Sequence, residues 1–190
     1  MAHGLCPWWL GYLLASPVRR LYQDPKAILA PHLRPGMIVI ETGPGMGFFT
    51  LEIARLIGPE GRVVAIDVQP RMLDVLKRRA KRAGLVNRLE TRLVAGDATG
   101  MEGLDRQADF VLAFAVVHEM PDMHRFFAAA AVALKPGGRA LLAEPRGHVG
   151  VEDFAKTLAA AEACGLRGVG TPHIRGSHTA VLEKTTHAVR

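Results

Sequence analysis

The chain has 190 residues, 49% of them apolar, which suits one globular domain of ordinary size with its own core and excludes a disordered chain. Its net charge of +6 permits an acidic partner such as RNA or an anionic membrane but requires neither. Two cysteines, Cys6 and Cys164, argue against a disulfide framework and fit a reducing compartment, so the expected location is cytoplasmic.

Residues 1–30 stand apart. They hold Trp8, Trp9, Tyr12 and Tyr22, and prolines at 7, 17 and 25 cut them into short pieces. The apolar run Trp8–Ala15 is far below the ~20 residues that span a bilayer. Arg19 and Arg20 follow that run, whereas the basic residues of a secretory signal precede it. We therefore expect a helical extension over 1–30 and a main domain over 31–190.

From Met37 onward, strands and helices alternate. Strands are expected near 37–41, 62–67, 89–95, 108–114 and 138–143, and helices near 46–57, 70–83, 121–134 and 150–164. Two more strands are expected in 166–185, the last at 179–183. The run Lys77–Arg82 is read as the solvated face of a helix that buries Met72, Leu73, Leu76, Ala80 and Ala83. Such alternation predicts an α/β fold, a doubly wound, mainly parallel sheet with helices on both faces.

The most telling segment is Val39-Ile-Glu-Thr-Gly-Pro-Gly-Met-Gly-Phe-Phe. A β-branched strand ends in Glu41, and Gly43, Gly45 and Gly47 lead into a helix. Strand, glycine turn and helix bring backbone close to a nucleotide-like ligand. The dinucleotide pattern G-x-G-x-x-G would need glycine at position 48, which is Phe48. An acid at the strand end disfavours phosphate and suits a ligand bearing ammonium or sulfonium.

This segment resembles motif I of class I S-adenosylmethionine (SAM) dependent methyltransferases. Later segments follow the same pattern in order: 63–73 ending a strand at Asp67, 93–99 with Asp97, 108–121 with His118 and Glu119, and 134–145 with Glu144. The resemblance covers roughly residues 35–185. It implies a Rossmann-like, seven-stranded sheet in the order 3-2-1-4-5-7-6 with strand 7 antiparallel, and SAM as cofactor with S-adenosyl-L-homocysteine as product. The ligand is then expected outside the strand ends, at the switch point between strands 1 and 4.

By resemblance, Gly43, Gly45 and Gly47 lie against the methionine and ribose parts of SAM, and Glu41 stands near the methionyl ammonium. Asp67 clamps the ribose hydroxyls, with Val68 beside it. Asp97 and Ala98 meet the adenine, and Ala115 floors the pocket near the sulfonium. His118 and Glu119 follow the fourth strand, where either can accept a proton or merely shape the loop. Glu144 and His148 are candidates for the substrate side, together with Trp8, Trp9 and Tyr12 of a 1–30 segment that serves as lid, dimer interface or membrane-docking surface. No metal is expected, because no histidine or cysteine pair has ligand spacing on one element.

The expected activity is methyl transfer to a small-molecule acceptor. The wording of residues 115–122 resembles the branch that includes quinone, sterol and arsenite methylating enzymes. Two cysteines are too few for the usual arsenic-binding set. No Asn/Asp-Pro-Pro-aromatic motif follows the fourth strand, which disfavours methylation of adenine or cytosine amino groups in nucleic acid. RNA methylation of another kind and a non-catalytic SAM-fold partner subunit remain the alternatives.

Overall fold

A computed structural model describes residues 22–95 and 98–185. Trp8, Trp9, Tyr12, Cys6 and Asp97 lie outside the described residues, as does most of the 1–30 segment expected to be a lid, a dimer interface or a membrane-docking surface. Seven strands form one sheet in the order β3-β2-β1-β4-β5-β7-β6, which is the order the resemblance implied. The chain divides into two compact units, Met1–Gly96 and Asp97–Arg190.

In the first unit a short helix, α1 (Pro25–Leu29), starts where Asp24 accepts a hydrogen bond from the Lys26 amide at 3.0 Å, with proline at the first helical position. Three parallel strands follow: β1 (Ile38–Thr42), β2 (Arg62–Asp67) and β3 (Leu89–Leu93). Val39 pairs with Val63, and Asp67 with Leu93. Helix α2 (Thr50–Leu56) begins four residues later than the apolar pattern predicts. The cause is the turn before it, where Gly43, Gly45 and Gly47 all have positive φ and cannot continue a right-handed helix. Helix α3 (Pro70–Arg82) buries Met72, Leu73, Leu76 and Ala80. Each of the three larger side chains contributes about 1.5–3 kcal/mol relative to exposure. Ala83 is exposed and caps α3, so the expected apolar stripe stops one turn short of it.

The second unit carries β4 (Ala108–Phe114), α4 (Met123–Ala133), β5 (Leu134–Pro145), α5 (Val151–Ala163), β6 (Leu166–Gly170) and β7 (Ser177–Lys184). β4 and β5 are parallel; β7 runs antiparallel to both β5 and β6. Asp122 caps α4, accepting from the Arg125 amide at 3.0 Å. β5 starts at Leu134, earlier than the expected 138. Leu134 is fully buried and pairs with Ala108, and the ladder resumes at Phe110 with Arg139. Two residues along β4 therefore match five along β5, an irregularity that absorbs Lys135-Pro136-Gly137-Gly138. The buried runs Phe110–Ala113 and Leu141–Ala143 are near-continuous, as expected of strands covered on both faces.

Candidate active site

Residues around the glycine loop form one group. Glu41, near the end of β1, is 3% exposed. Among the described residues, three buried side-chain oxygens have no hydrogen-bond partner: Glu41 Oε2, Thr42 Oγ1 and Thr50 Oγ1. All three flank the loop between β1 and α2. An orphaned buried oxygen costs about 1–3 kcal/mol, and the Thr50 hydroxyl stands near enough to the Glu41 carboxyl to bear on its charge. Burial raises the Glu41 carboxyl to about 8; Thr50 opposes that shift, and the Asp67 charge adds to it.

Asp67 closes β2 and ties the loop to it. Its Oδ2 accepts from the Gly45 amide at 3.3 Å and its Oδ1 from the Gln69 amide at 2.9 Å. Gly45 has φ +54°, and a β-carbon there would meet nothing within 4 Å. The loop is thus open on that side. At Gly47 a β-carbon would lie 2.4 Å from Leu76 Cδ1, so the loop also packs tightly on α3.

Arg79 belongs to this group although the sequence placed it on a solvated face. Its Nη1 donates to the Met46 carbonyl and pins the loop to α3. Lys77, Arg78, Lys81 and Arg82 are exposed as expected. No local signal separates Arg79 from its basic neighbours except its helical phase, three residues past Leu76. Val68 is 45% exposed, and Ala98 is also exposed.

A second group lies after β4. Ala115 has φ +55°, a strained value for a residue with a β-carbon, and its amide donates to Ala143 O at 2.7 Å. The chain then makes one 3₁₀ turn, Val117–Glu119. Glu144, near the end of β5, is 1% exposed, and each of its carboxylate oxygens is engaged by this turn. Oε1 accepts from the Val117 amide at 2.9 Å, while Oε2 takes a short hydrogen bond from His118 Nδ1. The sequence assigned Glu144 to the substrate side; the structure makes it the holder of His118.

Because Nδ1 is committed to a carboxylate, the neutral His118 ring has Nε2 as its acceptor. Nε2 lies 4.0 Å from Glu119 Oε1. The hydrogen bond to Glu144 raises the His118 pKa above its ordinary value; burial opposes this, and the charges of Glu144 and Glu119 add to it. His148, exposed in the turn after β5, sets its ring edge-on to His118 with centroids 5.9 Å apart. The structure therefore brings His118, Glu119, Glu144 and His148 together. Among the described residues, no helix is long and apolar enough to cross a membrane.

A model of the methyltransferase domain family matches residues 39–138. Over 134 residues, 70% of this chain, the sequence is 31% identical to the ubiquinone/menaquinone biosynthesis C-methyltransferase UbiE of Brucella canis, with 49% of that protein covered. Over 121 residues, 64% of this chain, it is 30% identical to the arsenite methyltransferase of Halobacterium salinarum, with 30% of that protein covered. The chain thus spans half or less of the length of these curated relatives. A SAM dependent methyltransferase from Aquifex aeolicus superposes with a TM-score of 0.85 over 95% of this chain and 100% of that one; at 21% identity the likeness concerns the fold. With more than half of its length matched by one family model, on the strand order of that class, the chain belongs to the methyltransferase domain family, among the class I SAM-dependent methyltransferases.

Proposed function

We propose that this chain transfers a methyl group from SAM to a small-molecule acceptor, with His118 taking the acceptor's proton. The observation that carries the reading is the buried Glu144 carboxylate, which holds His118 by Nδ1 and leaves Nε2 as a base. The relatives named for arsenite and for quinones support an acceptor of small size. With two cysteines in this chain, the arsenite assignment has less support than an organic acceptor.

The chemistry of the loop residues fits SAM. The buried Glu41 oxygen without a partner suits the methionyl ammonium, and the Asp67 carboxylate at the end of β2 suits a ribose diol. The open side of Gly45 lets backbone approach the ligand. When bound, SAM supplies a methyl group already activated by its sulfonium. The chain's task is then alignment and proton removal. His118 Nε2 accepts the proton of an acceptor hydroxyl, thiol or amine, and the imidazolium so formed is offset by Glu144 and Glu119. Strain at Ala115 is consistent with a backbone held for function.

Incubation with methyl-tritiated SAM and panels of thiols, phenols, quinols, amines and RNA tests the reading. Label should appear in a small molecule, and His118→Ala should lower turnover about 10²–10⁴-fold while S-adenosylhomocysteine still binds. Label in RNA instead would move the assignment to RNA methylation. Ligand binding without transfer to any acceptor would favour the partner-subunit reading.

A further inference from the structure

A cavity of about 300 Å³ opens within the second unit between the start of α5 and the turn joining β6 to β7. Ile174, 5% exposed, anchors the turn, and Thr179 Oγ1 donates to the Pro172 carbonyl to pin it across β7. On the other wall the rings of Phe154 and His178 stack, with centroids 5.3 Å apart and planes inclined at 25°. Its volume lies at the small end of the range for ligand pockets.

Among the described residues, Arg146 is the one permanently charged side chain on the lining. Arg146, His173 and His178 face the cavity, and no Asp or Glu lines it. Arg146 is aimed by two bonds: its amide donates to Gly176 O at 2.9 Å and its Nε to Ser177 O at 3.1 Å. Its guanidinium has no carboxylate partner among the described residues, so its terminal amino groups remain available as a fork for an oxyanion. Ser177 and Thr179 also line the cavity.

Strand register connects this cavity to the proposed base. His178 pairs directly with Glu144 across the antiparallel β5–β7 ladder. Directly opposed residues project to the same face with β-carbons about 4.5–5.5 Å apart. His178 thus lines the cavity next to the residue that holds His118, and Glu144 itself is turned to the Val117 amide and His118. The cavity and the proposed base thus border neighbouring residues of one ladder.

We infer that this cavity binds the anionic group, a carboxylate or a phosphate, of the methyl acceptor, with Arg146 as its anchor and His173 and His178 as further donors. The inference rests on the methyltransferase reading above. It narrows the acceptor class to small acids and phosphate esters.

The test is calorimetric titration of protein saturated with S-adenosylhomocysteine, using sodium benzoate in one arm and inorganic phosphate in the other, with histidine-ring NMR on the same samples. At least one anion should bind and shift the His173 and His178 ring signals; benzoate alone identifies a carboxylate, phosphate alone a phosphate ester. Arg146→Gln should weaken that binding about tenfold to hundredfold, the scale of a charge-assisted hydrogen bond, with S-adenosylhomocysteine affinity unchanged. Arg146→Lys should recover part of it. His173→Ala, which removes no tether of the turn, should weaken it severalfold and covers the case in which Arg146→Gln misfolds. Failure of both anions to bind, or unchanged affinity in Arg146→Gln and His173→Ala, overturns the inference. Failure of the wild-type protein to bind S-adenosylhomocysteine overturns the methyltransferase reading and with it the acceptor assignment, even where the anions still bind.

Discussion

Titrating S-adenosylhomocysteine into the protein between pH 6 and pH 8 tests the role proposed for Glu41. Burial raises this carboxyl to about 8, so at pH 7 it is about nine-tenths protonated in the ligand-free protein. A ligand ammonium gains fully only from the ionised form. The affinity penalty is then a factor of about 100 at pH 6, about 10 at pH 7 and about 2 at pH 8, in the limit that bound Glu41 is ionised throughout. Affinity should therefore rise about fiftyfold from pH 6 to pH 8, and binding at pH 7 should release close to one proton. Calorimetry in buffers of different ionisation enthalpy reads both quantities. Glu41→Gln should bind more weakly at pH 8 and lose the slope. The same raised carboxyl gives the free protein stability that is present below its ordinary pKa of 4.5 and lost as pH rises toward 8, at about 1.4 kcal/mol per pH unit. Glu41→Gln should flatten that loss in urea unfolding. A wild-type affinity that does not change with pH, or a slope that survives in Glu41→Gln, would refute the reasoning.

Asp67→Ala removes a carboxylate that accepts from Gly45 and Gln69, and S-adenosylhomocysteine affinity should fall by about 1.5–3 kcal/mol for each charged hydrogen bond lost. Unchanged affinity in a calorimeter would remove Asp67 from the site. Glu144→Gln takes away the largest cause of the raised His118 pKa. In the wild type the neutral, base form of His118 accumulates only as pH rises through that raised pKa, so the acidic limb of kcat/KM should lie above the ordinary histidine range and move to lower pH in Glu144→Gln. An unmoved limb would detach Glu144 from His118 in turnover. Arg79→Met deletes the bond to Met46 O, which at partial exposure contributes about 1–2 kcal/mol. The melting temperature should drop by about 2–8 °C, and S-adenosylhomocysteine binding should weaken; an unchanged melting curve would show that the tether is not formed in solution.

Much of this fold is legible locally, because strands and helices impose their own periods on the chain and glycine and proline punctuate them. The β-branched run before Glu41, the three glycines and the alternation beyond them place β1 through β7 in order, and the resemblance supplies the strand order that the sheet adopts. Element ends were less legible. α2 starts at Thr50 because the backbone at Gly47 is left-handed, and β5 starts at Leu134 because that side chain is buried opposite Ala108 in the β4–β5 ladder. Neither fact is a property of the residues alone. The charged contacts of the site were decided by tertiary structure. Glu144 lies 26 residues from His118 and Arg79 lies 33 from Met46, so no local pattern records their meeting. The same holds for the cavity at Arg146, which exists only because β7 folds back antiparallel on β5 and brings Ser177 and His178 to that strand's end. Sequence period determines which way a side chain points within its own element; which partner it meets, and therefore its charge and chemistry, depends on how the elements are stacked.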